Sequence, residues 1–309
     1  MRYRPLGRTG LTVSALSLGT VALGVDYGIA APGEFGRPGE DDAIRLVRAA
    51  IERGVTLVDT APAYGDSERI VGLALRGRAD VIVATKVNPA GTNTAAIERD
   101  VTASIESSLR ALGRAALDIV QIHNATRAMV EEGVVTGALV DARRRGLVRV
   151  IGASVYGEDA AMAVIQAGEY GVLQVALNAL DQRMLHTVLP AAAAAGIGVV
   201  VRSAFLKGAL TPKAQWLPEP LAPVREAAAR ARDVLAGGSW ERLPDAAMRF
   251  CLSAPTVASV LAGARTLAEL DAAVAAEAAG PLDAATMTAA ARLAMTDEQL
   301  LNPSYWPVA

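Results

Sequence analysis

The chain has 309 residues, 52% of them hydrophobic and 20% charged, with a formal net charge of −2 and a pI near 5.8. That balance excludes the basic excess of a nucleic-acid-binding protein, and the single cysteine, Cys251, excludes an intrachain disulfide, as fits a reducing compartment. The opening MRYRPLGRTG lacks the apolar core of a signal peptide, and the longest strongly apolar stretch, LPAAAAAGIGVVV at 189–201, is too short and glycine-broken to span a bilayer. The expectation is a cytoplasmic protein, monomeric or weakly homo-oligomeric, with neither nucleic acid nor membrane as partner.

In chain order, RYRPLG, the turn RTG and LTVSALSLG read first as a hairpin. Short apolar runs then alternate with Ala/Leu/Arg-rich stretches of helical length. The runs are LSLGT (16–20), TLVDTA (56–61), VIVATK (81–86), LDIVQIHN (117–124), VRVIGASV (148–155), VLQVALN (172–178), IGVVVRSA (197–204) and VASVLAGA (257–264). Residues 21–40 form a long Gly-rich loop carrying Tyr27 and Phe35, either part of a site or a plain surface loop. A helix is predicted over 41–54, with Ala43, Val47, Ala50 and Ile51 on one face. Another covers 94–113, where Ile97, Val101, Ile105, Ser108, Leu109 and Leu112 share a stripe. Gly54, Gly113, Gly146 and Gly196 each end a helix. The alanine run 191–195 reads as a helix interior packed close to the sheet.

Continuous apolar strands imply a parallel sheet covered on both faces. Eight strand–helix units are what a (β/α)8 TIM barrel needs, here with the hairpin closing its bottom. A doubly wound sheet is the rival. It is weakened because no GxGxxG follows the first strand and no GxxxxGK[ST] occurs anywhere. No stretch looks like a linker, so residues 1–309 are expected to form one barrel domain.

The predicted strands end on polar residues: Asp59, Lys86, His123 and Ser154, with Gln174 before Asn178 on the sixth. In a barrel these ends converge on one rim, joined by Tyr64 from the turn that follows Asp59. Singly, each has a bland explanation: a structural His, a solvated Lys, a tyrosine anchoring a turn. Together they make chemical sense. A tyrosine hydroxyl ordinarily ionises near pH ~10, and a neighbouring ammonium stabilises its phenolate. An Asp holds the Lys charged, and a His positions a carbonyl oxygen. Such a set protonates a developing alkoxide as hydride reaches carbon. Protein side chains supply no hydride, so a nicotinamide is implied.

At these residues the sequence resembles the aldo-keto reductase family. The resemblance runs nearly end to end, through LGRTGLTVSALSLGT, GVTLVDTAPAYGDSERIVGLAL, VIVATK, LDIVQIHN, GLVRVIGASV, LQVALN, RSAFLKGAL and LAGARTLAEL. It implies a catalytic tetrad of Asp59, Tyr64, Lys86 and His123, with Tyr64 as general acid. It implies cofactor contacts at Thr20, Asp59, Ser154, Gln174, Arg202, Ser203, Phe205, Lys207, Gly208, Gly263, Arg265 and Glu269. The chain departs from the family at Val155, which replaces an Asn beside the nicotinamide, and at Ala272 and Ala273, which replace an adenine-gripping Glu-Asn. Arg202 stands where an aromatic residue often lies under the nicotinamide. A guanidinium there stacks on a planar ring and disfavours its cationic, oxidised form. Arg265 suits a 2′-phosphate, so NADP(H) is the preferred cofactor, with NAD(H) the alternative.

The expected reaction is reduction of an aldehyde or ketone, a small-molecule carbonyl, to an alcohol, or the reverse. Substrate contacts are expected at Tyr27, Phe35, Asn124, Tyr156 and Trp306. Tyr305 and Trp306 either cover the barrel mouth or pin the terminus. The short connection after His123 leaves an open pocket, suited to a sugar or sugar-derived carbonyl. Two rivals remain: a nicotinamide-binding sensor or partner subunit with little turnover, and a lyase or isomerase with Lys86 as Schiff base. The second is disfavoured because Asp59 would keep the amine protonated. His186, without a second ligand nearby, is assigned no metal.

Overall fold

The computed structural model describes residues 1–33 and 35–307; Glu34 and the end of the tail, Val308 and Ala309, lie outside the described residues. An antiparallel hairpin comes first, β1 (Tyr3–Pro5) and β2 (Thr12–Ser14). Eight parallel strands follow: β3 (Leu16–Gly19), β4 (Leu57–Asp59), β5 (Ile82–Val87), β6 (Leu117–Ala125), β7 (Val148–Val155), β8 (Val172–Ala176), β9 (Gly198–Arg202) and β10 (Val257–Gly263). They close in sequence order, with β10 pairing to β3, so the sheet is a barrel and not doubly wound. This is the expected (β/α)8 architecture with its added hairpin.

The helices form for the reasons their sequences suggest. Helix 94–112 starts where the Asn93 side chain accepts from the Ala96 amide at 3.0 Å and stops at Gly113, whose φ of +63° is left-handed. It buries Val101, Ile105, Ser108 and Leu112, while Ile97 and Leu109 pack at its margin. Helix 40–52 buries Ala43, Leu46, Val47, Ala50 and Ile51. The alanine run 191–195 lies at the end of a helix, but Ala192 alone of the five is buried. One face of this short helix meets the sheet, so the packing is looser than expected. Residues 21–24 form a single helical turn where a loop was expected. Among the described residues no helix is long and apolar enough to cross a membrane.

Strand pleating fixes which side chains fill the barrel. At the bottom, Leu6, Leu11 and Val13 of the hairpin segment join Leu57, Ile82, Ala84, Ile119, Val150, Val172, Val200, Ala258 and Leu261 in one apolar cluster. Toward the C-terminal ends the same inward columns turn polar. Leu57 leads to Asp59, Ala84 to Lys86, Ile119 to Gln121 and His123, Val150 to Gly152 and Ser154, Val172 to Gln174, and Val200 to Arg202. Three strands are shorter than the sequence suggested, ending at Asp59, Ala176 and Arg202. Beyond those points the backbone leaves the ladder to build the rim.

Candidate active site

Lys86 is almost fully buried, at 1% exposure, and so is Asp59 at 4%. Lys86 Nζ donates to Asp59 Oδ1 at 2.5 Å and to the Thr60 carbonyl at 2.9 Å. Burial alone would pull the Lys86 ammonium down, but Asp59 and Tyr64 outweigh it and hold the amine above its ordinary value. An amine so held stays protonated, which removes it as a Schiff-base nucleophile.

Tyr64 stands over this pair. Its ring centroid lies 4.9 Å from Lys86 Nζ and 5.7 Å from the His123 ring, which meets it edge-on at 86°. The turn that aims it is tightly built. The Tyr64 amide donates to the Ala61 carbonyl at 3.0 Å, and the Ser67 amide donates to the Tyr64 carbonyl at 3.1 Å. The turn rests on Gly24, where a Cβ would come within 1.7 Å of the Tyr64 carbonyl oxygen. Below it, Ser67 Oγ donates to Thr20 Oγ1 at 2.6 Å, and Thr20 Oγ1 donates to the Asp59 carbonyl at 2.8 Å.

His123 is held neutral. Burial, with Lys86 and Arg202 adding to it, pushes the imidazole down to about 4. A neutral imidazole keeps one N–H to donate and does not add a charge beside Lys86. A buried ammonium, a phenol and a neutral imidazole around one opening can bind a carbonyl oxygen and deliver a proton to it.

The expected cofactor residues occupy one arc of the rim. Ser154 Oγ donates to Gln174 Oε1 at 3.1 Å, and Gln174 Nε2 donates to Asp59 Oδ2 at 2.8 Å. Arg202 lies 3.8 Å from the Tyr156 ring centroid and donates to the Val155 carbonyl at 2.8 Å and to Ser203 Oγ at 3.2 Å. The loop after β9 bends through left-handed Ser203, Leu206, Lys207 and Gly208, with φ of 61°, 44°, 56° and 107°. Phe205 accepts there from the Gly208 and Leu210 amides, and Asn178 Nδ2 donates to the Ser203 carbonyl at 3.1 Å. On the far side, Gly263 is exposed, with nothing within 4 Å of where a Cβ would sit. Glu269 accepts from the Arg265 backbone amide at 2.7 Å and pairs with both Arg265 Nη2 at 3.4 Å and Lys213 Nζ at 3.8 Å. Glu269 is thus an acidic partner between two cations.

The substrate candidates divide. Tyr27 keeps 36% of its surface exposed, yet burial, Tyr156 and Tyr64 push its hydroxyl above the ordinary phenol range against the pull of Arg202. Asn124, left-handed at φ 54°, and Tyr156 border a groove of about 550 Å³ shared with Thr126, Arg127, Glu158, Asp159, Glu298, Asn302, Ser304 and Tyr305. Phe35 is exposed on the first loop. Trp306 departs from expectation: it is buried at 5% in the main core cluster, and its Nε1 donates to the Leu300 carbonyl at 3.1 Å. It pins the tail, and Tyr305 reaches the groove instead. A larger cleft of about 870 Å³ lies between outer helices among Arg69, Arg76, Arg78, Arg110 and Arg114, away from these groups.

Two contributors were missed in the sequence, Gln121 beneath Asp59 and Lys213 beside Glu269, while Asn178, noted there only as a polar strand end, braces the loop after β9. Among the described residues no cluster of His, Cys, Asp and Glu could hold a metal ion.

A sequence model described as the Aldo/keto reductase family matches residues 15–294. The chain belongs to that family. Among similar aldo/keto reductase relatives, L-galactose dehydrogenase of Arabidopsis thaliana is 28% identical, over 89% of this chain and 88% of that one. NADH-specific methylglyoxal reductase of Escherichia coli is 30% identical, over 68% and 69%. D-threo-aldose 1-dehydrogenase of a Pseudomonas species is 28% identical, over 86% and 92%. The holo form of an aldo-keto reductase from Bacillus halodurans superposes with a TM-score of 0.78 at 26% identity, covering 98% of this chain and all of that one. The protein is therefore an oxidoreductase acting on carbonyls, in a family that uses nicotinamide cofactors.

Proposed function

We propose that the protein is an NADP(H)-dependent reductase of an aldehyde or ketone carried on a sugar or sugar-derived molecule. The observation that carries the reading is the buried Asp59–Lys86 pair at 2.5 Å beneath Tyr64, with a neutral His123 at the ring's edge. Tyr64 donates its hydroxyl proton to the substrate oxygen as that oxygen gains negative charge. Lys86 stabilises the phenolate left behind, Asp59 keeps Lys86 charged, and His123 orients the oxygen by donating to it.

The residues present fit a nicotinamide dinucleotide. Ser154 and Gln174 offer a hydroxyl and an amide to a carboxamide. The left-handed loop over 203–208 and the open Gly263 let a backbone approach a pyrophosphate and a nucleotide closely. Lys213 and Arg265 both reach Glu269 at the start of helix 267–279, where two cationic side chains and the helix N-terminus suit a 2′-phosphate. When bound, the nicotinamide supplies the hydride. Arg202, its guanidinium carbon 3.8 Å from the Tyr156 ring centroid, offers the nicotinamide a cationic neighbour that favours the reduced state.

A sugar-like substrate is supported by the groove beyond Asn124, where carboxylates, amides and hydroxyls alternate with Tyr156 and Tyr305. Relatives named for galactose and aldose oxidation lean the same way. The buried, lone Cys251 accords with a cytoplasmic setting. The test is titration with NADPH and NADH, read by tryptophan fluorescence, followed by a panel of carbonyls. Tight NADPH binding and turnover of hydroxylated aldehydes support the proposal. Binding without turnover of any carbonyl would make the protein a sensor, and turnover of small hydrophobic aldehydes alone would remove the sugar.

A further inference from the structure

Gln121 sits on β6 two residues before His123, 1% exposed, with its side chain turned to the barrel axis. Its Nε2 donates to Asp59 Oδ2 at 3.1 Å. Its Oε1 is one of two buried side-chain oxygens among the described residues that have no hydrogen-bond partner. Room has been made for it. Gly152 is its neighbour on β7, and a Cβ there would come 3.0 Å from Gln121 Cγ and 3.0 Å from the Val172 carbonyl. A central strand thus gives up a side chain, and an amide is tolerated half-satisfied in the core, where an apolar side chain would incur no such loss. The geometry holds the amide against Asp59.

Asp59 is reached by three donors: Lys86 on Oδ1, and Gln174 and Gln121 on Oδ2. Gln174 has a second proposed task, holding the nicotinamide carboxamide. An amide N–H committed to that ligand is withdrawn from Asp59, whereas Gln121 lies below the opening and keeps its bond. We infer that Gln121 is a positioning residue for proton transfer, holding Asp59 Oδ2 when Gln174 turns to the cofactor. With that bond made, part of the carboxylate charge is satisfied by a neutral donor. Lys86 is then less completely neutralised by Asp59 and acts more strongly on Tyr64. This rests on the proposal that Tyr64 is the proton donor. The charged and titratable groups around Asp59 and Lys86 are Tyr64 from the turn after β4, His123 from β6 and Arg202 from β9, with Tyr27 from the first loop.

The experiment compares wild type, Gln121→Met and Gln121→Glu as full-length proteins, measuring thermal midpoint, KM, kcat and the pH dependence of kcat. Gln121→Met removes donor and orphaned acceptor together at nearly constant volume. It should leave the thermal midpoint and KM unchanged, lower kcat roughly tenfold, and move the alkaline fall of kcat upward by about half a pH unit. Gln121→Glu should move it further, because a second carboxylate beside Asp59 competes for the Lys86 charge. In the cofactor-free protein, the same substitutions should shift the titration of Lys86, followed by NMR of its labelled side chain. A drop in thermal midpoint with neither the kcat profile nor Lys86 moved would overturn the inference and leave Gln121 a packing residue. Tyr64→Phe separates the two claims. If it retains full activity, the proposed function fails. If it is inactive while Gln121→Met matches wild type throughout, only this inference fails.

Discussion

The floor and the rim of the barrel are made from the same strands, yet they obey different rules. At the floor, Leu6, Leu11 and Val13 meet the apolar columns of seven strands, β4 to β10, in one cluster. Two to four residues further along those columns stand Asp59, Lys86, Gln121, His123, Ser154 and Gln174. Backbone conformation divides the same way. The four non-glycine residues with left-handed φ among the described residues, Asn124, Ser203, Leu206 and Lys207, all lie at the rim, none in the floor. Local strain and buried charge are tolerated where the surrounding structure over-determines them. The rim can carry both because the floor supplies cohesion.

If that division holds, substitutions at the two ends should separate activity from stability. The largest effect is expected for Tyr64→Phe. It should lower kcat by about 10²–10⁴-fold, the usual worth of a positioned acid, with an unchanged thermal midpoint. Leu6→Ala is the mirror experiment. It should cost about 2–5 kcal/mol in denaturant unfolding, with kcat per folded molecule unchanged. Loss of activity in the folded Leu6→Ala protein would break the comparison.

A finer probe is pH. His123 ionises at about 4 in the folded chain, below its ordinary value near ~6.5 in the unfolded one. The unfolded state therefore binds the extra proton between those two values. This contribution to stability is fully present above the upper value and is lost as pH falls toward the lower one. Unfolding followed across that interval should show the loss, and His123→Gln should flatten that part of the curve. The smallest expected effect belongs to Arg202→Tyr. It should tighten NADP⁺ relative to NADPH by several-fold, on the order of 1 kcal/mol for a cation–ring contact. Equal dissociation-constant ratios would mean that Arg202 does not face the ring.

Much of this was legible in the sequence because strand ends and inward columns are periodic. Asp59, Lys86 and His123 each close an apolar run, and the turn residues around Tyr64 mark its bend. Gln121 was harder to find. In a strand buried on both faces the alternation of polar and apolar residues is masked, and one Gln inside IVQIH looks incidental. Counting back two from His123 would have found it. Trp306 stayed open between two readings because a terminal aromatic can cover an opening or plug a core, and packing decides for the second. The pairing of Glu269 with Lys213 had no sequence signal, because Lys213 lies too far along the chain to be matched to it by spacing. The left-handed Leu206 has no sequence signal, since leucine is disfavoured in that conformation.

The plugged floor also sets a rule of traffic. With the hairpin stoppering one end, the vessel has a single door, and both guests must use it. Everything that reaches the buried Asp59–Lys86 pair must therefore come in over the rim.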